Sequence, residues 1–117
     1  MDLGKIEQGV RLILEGIGED LQREGLVDTP CRTAKSFAEL CRGMDPASAR
    51  SIRTFHAEGH NELVIVKDIS FSSMCEHHLL PYVGRCDVVY LPADDRIAGL
   101  SAIVETVETM AARLTTQ

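Results

Sequence analysis

No run of basic residues appears in this chain, and no apolar stretch approaches the length needed to span a bilayer. Eighteen acidic side chains outnumber twelve basic ones, giving a net charge of −6. That balance argues against nucleic acid as a partner, and the missing apolar span argues against a membrane. The opening Met1-Asp2-Leu3-Gly4-Lys5 lacks a basic region followed by an apolar one. Secretion is therefore not indicated, and a cytoplasmic location is expected. Repeats, linkers and low-complexity tracts are also missing, and 117 residues suffice for one small domain. What is present, 44% hydrophobic and 26% charged residues, is ordinary for a globular protein. Four cysteines (31, 41, 75 and 86) without a secretory signal suggest reduced thiols and perhaps a metal, rather than a disulfide framework.

Leu3, Ile6, Val10, Leu14, Ile17 and Leu21 recur at spacings of three and four, which predicts an amphipathic helix over 3–23. Gly9, Gly16 and Gly18 weaken its propensity, and Gly25 suits its C-terminal cap. Thr29-Pro30 reads as an N-cap followed by proline at the first helical position. The second helix then runs to about Arg42, with Ala34, Phe37, Ala38 and Cys41 on one face and Gly43 ending it. Arg32 and Lys35, near its start, read as a solvated face. Residues 1–50 are expected to form a helical hairpin region, and 51–117 a second region that carries the chemistry.

Asp45-Pro46 opens a short irregular or single-turn segment to about Ser51, 53–58 is weakly extended, and Gly59-His60-Asn61 is a turn. His56 and His60 read as exposed loop histidines. The strongest predicted strand covers 63–71, rich in β-branched residues. A second covers 84–91, where Cys86, Val88 and Tyr90 alternate with Arg85, Asp87 and Val89. Residues 92–96 form a turn. A third helix is expected from Ser101, as its N-cap, to Leu114, with Glu105 in its early turns.

The densest chemistry lies at Ser73-Met74-Cys75-Glu76-His77-His78-Leu79-Leu80-Pro81. Thiolate and neutral imidazole are preferred zinc ligands, and a catalytic zinc takes three protein ligands. Cys75 and His78 are three apart, so a helical or turn-like conformation brings both toward one ion. His77 is then left for proton transfer, with an ordinary pKa near working pH. The plainer reading is a turn with a buried cysteine and two surface histidines. Any third protein ligand must come from elsewhere. Cys86 is one candidate, against its reading as a buried strand residue. Glu76 is preferred as a neighbour of the ligands or a surface residue, and Cys31 and Cys41 as packing residues.

This motif, with Gly25-Leu26, Thr29-Pro30-Cys31-Arg32-Thr33-Ala34-Lys35, Asp68-Ile69-Ser70-Phe71, Gly84, Tyr90-Leu91-Pro92 and Gly99-Leu100-Ser101, resembles the GTP cyclohydrolase I family. The resemblance covers about residues 5 to 110. It implies an α+β tunnelling fold (T-fold) whose subunits assemble into a homo-oligomeric ring. It implies a zinc-dependent hydrolase that opens GTP at C8, releases formate and yields 7,8-dihydroneopterin triphosphate on the route to folate and pterin cofactors. Cys75 and His78 would hold the zinc with a later cysteine, His77 would act as general acid/base, and Ser101 with Leu100 would contact the substrate. The match stops short of the family's last two strands, its second zinc-binding cysteine and the glutamate that recognises guanine. Ala102 and Glu105 stand where the family usually has Lys and Arg to hold phosphates. The alternative is a truncated, catalytically impaired homologue that acts as a zinc-binding assembly partner, or a paralogue on a different purine.

Overall fold

Asp2 starts the first helix by accepting the backbone N–H of Lys5 on Oδ1 at 3.1 Å. Helix α1 spans Leu3–Gly16 and ends seven residues before the expected stop at 23. Gly18, at φ +86°, sends the chain into the left-handed region. Its N–H donates to Glu15, and the N–H of Glu19 donates to Leu14, the paired bonds that close a helix end. Leu21 and Gly25 therefore lie beyond the helix. Helix α2 spans Thr29–Leu40, with Thr29 inside the helix and Pro30 and Ala34 buried. These two helices form one compact unit, Met1–Leu40. The computed structural model describes residues 1–49 and 51–117, and its second unit is Cys41–Gln117.

The second unit begins with single 3₁₀ turns at Arg42–Met44 and Pro46–Ser48. Strand β1 (Thr54–His56) pairs antiparallel with β4 (Arg96–Ala98), a small sheet of its own. The central element is a hairpin of β2 (Val64–Cys75) and β3 (Pro81–Tyr90), in antiparallel register from Val64↔Tyr90 to Met74↔Pro81. Both strands outrun their expected ranges, and β2 carries the ligand motif on its own end. Strand β3 keeps strict alternation of exposed and half-buried residues, as its sequence predicts. A bulge between Val66 and Ile69 places Asp68 at φ +58°, where its N–H is met by Asp87 Oδ1 at 2.9 Å.

Helix α3 spans Leu100–Ala111 and packs on β2. Its N-cap is Gly99, not Ser101, which lies one residue inside the first turn. It also stops three residues short of Leu114. Residues Leu114–Thr115 form β5, which lies parallel to the end of β2 with Met74↔Leu114 and Cys75↔Thr115 in register. Among the described residues five strands replace the two that sequence pattern makes obvious, because β1, β4 and β5 are two or three residues long. The buried centre of this unit includes Ile69, Ser73, Met74, Cys75, Ile103 and Ala112.

Candidate functional site

Cys75 is the last residue of β2, and the turn that follows it ends at Pro81, the first residue of β3. The N–H of Leu79 donates to the Cys75 carbonyl at 2.9 Å, and the N–H of Cys75 donates to the Leu80 carbonyl at 2.9 Å. Leu79 takes a left-handed conformation, φ +55°, to close this tip. The turn curls His78 back over the strand end, so that its Nδ1 lies 3.5 Å from Cys75 Sγ. With bonds of about 2.3 Å to sulfur and 2.05 Å to nitrogen, a tetrahedral zinc separates the two donors by about 3.6 Å. The donor pair thus has the chemistry and spacing of one edge of a zinc tetrahedron.

Cys75 is 2% exposed, yet its thiol pKa is lowered from 9.0 to about 6. The contact with His78 is the main cause, with Gln117 second; burial acts in the opposite direction. The neutral thiol donates to Gln117 Oε1 at 3.6 Å. A thiolate is favoured when that amide turns its nitrogen toward the sulfur.

The C-terminal segment forms a wall beside this turn. Ser73, fully buried, shares its hydroxyl with Thr115 Oγ1 at 2.7 Å and donates to the Arg113 carbonyl at 3.3 Å. Tyr82 OH meets the same Thr115 hydroxyl at 2.5 Å and donates to the Thr116 carbonyl. The N–H of Glu76 donates to the Thr115 carbonyl at 3.0 Å. Three hydroxyls and a short parallel pairing therefore hold β5 against the base of the ligand turn. Pattern reading missed Ser73, Tyr82 and Thr115, whose hydroxyls carried no periodic signal for it to find.

His77 stands apart from the jaw. Its ring is edge-on to that of His78, with centroids 6.2 Å apart, and its Nε2 lies 3.7 Å from Glu76 Oε1. Both side chains are largely exposed, so His77 can exchange protons with solvent or with a bound molecule. Among the described residues no cluster of three or more His, Cys, Asp and Glu assembles. Cys86 does not supply a third donor: it pairs with Ile69, and at strand rise it lies about 17 Å along β3 from Pro81. Cys41 is buried, which raises its thiol pKa, the reverse of a ligand's needs. Ser101 and Leu100 are exposed at the start of α3, where Ser101 lines a separate groove that does not include the Cys75 turn.

The model of the family described as GTP cyclohydrolase I matches residues 6–117. GTP cyclohydrolase 1 of Lysinibacillus sphaericus (strain C3-41) is 52% identical over 113 residues, which cover 97% of this chain and 60% of that protein. GTP cyclohydrolase 1 of Bacillus subtilis (strain 168) is 50% identical over 109 residues, covering 93% of this chain and 57% of that protein. The chain thus spans less than two thirds of the length of these relatives.

Proposed function

The chain belongs to the GTP cyclohydrolase I family, and from that premise we propose that it serves zinc-dependent hydrolysis of GTP at C8, with formate and 7,8-dihydroneopterin triphosphate as products. Its α+β architecture is consistent with the T-fold of that family. The observation that carries the reading is the 3.5 Å separation of Cys75 Sγ and His78 Nδ1, with the thiol biased toward thiolate. These two residues would hold zinc together with a further donor. Zinc supplies Lewis acidity, which makes hydrolysis accessible at neutral pH.

The chain's own groups do the rest. His77, beside Glu76 and open to solvent, gives and takes the protons that opening a purine ring requires. Ser101, in the first turn of α3, contacts the substrate together with Leu100. Exposed apolar side chains on the hairpin, Ile65, Val83 and Val89, support assembly of several copies.

A second reading has its own observation. With two donors in place and no third among the described residues, the chain holds zinc weakly and works as an assembly partner without turnover. One experiment separates the two. The purified protein is incubated with GTP and zinc while formate and pterin fluorescence are followed, and its zinc content is compared with that of Cys75→Ala. Products that disappear in Cys75→Ala support the enzyme. Zinc bound through Cys75 without products supports the partner. Equal zinc content in both proteins defeats both readings.

A further inference from the structure

A cleft of about 470 Å³ opens between the C-terminal end of β3, helix α3 and the small β1–β4 sheet, within the size range of small-molecule sites. It contains no residue of the Cys75 turn, and neither Ser101 nor Leu100. Val88, Leu91, Ile103 and Val107 give its walls an aliphatic surface. The polar side chains in its described lining are already committed. Tyr90 OH accepts the N–H of Ala98 at 2.9 Å, and Thr106 Oγ1 donates to the Ala102 carbonyl at 2.7 Å. Thr54 accepts Arg96 Nε on Oγ1 at 2.7 Å and Arg96 Nη2 on its carbonyl at 3.0 Å. The body of an occupant is therefore apolar, since a polar one would give up its bonds to water for none in return.

Arg96, exposed at one edge of the cleft, sets the occupant's other end. Thr54 holds the guanidinium by its side-on edge. The end-on edge, Nη1 with the second hydrogen of Nη2, bonds no described residue. Asp94 and Asp95 precede Arg96 in the turn, yet neither pairs with it: the ion pairs of this unit are at Glu76 and Asp68. Asp95 Oδ1 instead accepts the N–H of Gly59 at 3.0 Å. A planar fork with one edge fixed and the other open suits a carboxylate, whose two oxygens it meets in parallel. We infer that the cleft binds a small aliphatic monocarboxylate, its hydrocarbon chain between β3 and α3 and its head group on Arg96.

Calorimetric titration of the whole chain with hexanoate, octanoate and octanol, each below micelle formation, tests it. Octanoate binds about tenfold or more tightly than hexanoate, since each buried methylene is worth about fourfold. Octanol binds about tenfold more weakly than octanoate, the loss expected when a hydrogen bond to a charged group is given up. Arg96→Gln weakens octanoate by about tenfold and leaves octanol unchanged. That variant also touches the pairing with β1, so circular dichroism checks its fold. If it does not fold, the ratio of octanoate to octanol affinity in the unaltered chain decides. Equal affinities for acid and alcohol overturn the inference, as does octanoate affinity unmoved in folded Arg96→Gln. Octanoate binding that appears only as an oligomer disperses on dilution, followed by sedimentation velocity, places a second copy in the cleft and overturns it as well.

Discussion

In the helical unit Asp2, Glu19, Asp20 and Asp28 each bond a group two to four residues away. In the hairpin unit Ser73 reaches Thr115, 42 residues on, and Tyr82 reaches the same hydroxyl across 33. Helix α1 has no buried residue; Leu12 and Ile13 stand exposed on it, as does Ile17 at its C-cap. The end of β2 buries Ser73, Met74 and Cys75 in succession. One unit is written in local code and tolerates surface change. The other depends on remote partners, and that is where the donor pair sits.

The contrast is broken most severely at the sulfur. Cys75→Ala lowers zinc affinity by more than about 100-fold, beyond the loss typical of a residue that only supports a ligand. Leu12→Ser in α1 leaves it unchanged, and competition against a chelator measures both. Gly43→Ala comes next, because an added Cβ would lie 2.0 Å from the Thr109 carbonyl oxygen and 2.8 Å from that of Ala112. A clash of this kind costs about 1–3 kcal/mol. Gly9→Ala in α1, with nothing within 4 Å of its Cβ, gains up to about 1 kcal/mol. Denaturant midpoints should move in opposite directions for these two glycines.

Thr115→Val removes the shared partner of Ser73 and Tyr82. The loss is about 1–3 kcal/mol, with zinc binding weakened by up to about tenfold as the wall loosens. A change of pH tests the same sulfur without a mutation. Cys75 has a folded pKa of about 6 against 9.0 for an ordinary thiol. Its contribution to stability is therefore complete above 9.0, shrinks on acidification, and is gone once pH falls through about 6. In metal-free protein, thiolate absorbance at about 240 nm should show a component with midpoint near 6 that Cys75→Ala lacks. A midpoint near 9.0 would mean that the His78 contact does not form in solution.

Much of this was legible in the chain. The spacing of three between Cys75 and His78 foretold a helical or turn-like bend, of which the structure has the turn, and the β-branched run over 63–71 foretold the strand that delivers it. Helix α1 was read too long because the apolar spacing continues through Leu21, while Gly18, which stops the helix, was counted only as a weakness. Helix α3 was read too long for a similar reason: Leu114 keeps the helical interval, but Ser73 and Tyr82 recruit the segment after Ala112 into a strand. Strands of two or three residues have no period to detect. Nor does a buried hydroxyl network, since each member looks like an ordinary loop or strand residue until its distant partner is known.

The turn between Cys75 and Pro81 closes over a handful of residues, whereas its wall arrives from about forty further along. Hairpins form in about 1–10 μs, and docking a remote segment must also meet the entropy of closing a longer loop. The two events are thus ordered in time. A half-made molecule, with the hairpin zipped and residues 113–117 still free, would present a bare sulfur to oxidants that the finished one keeps out. Speed of capture by residues 113–117 then becomes a trait on which the survival of the reactive thiol depends.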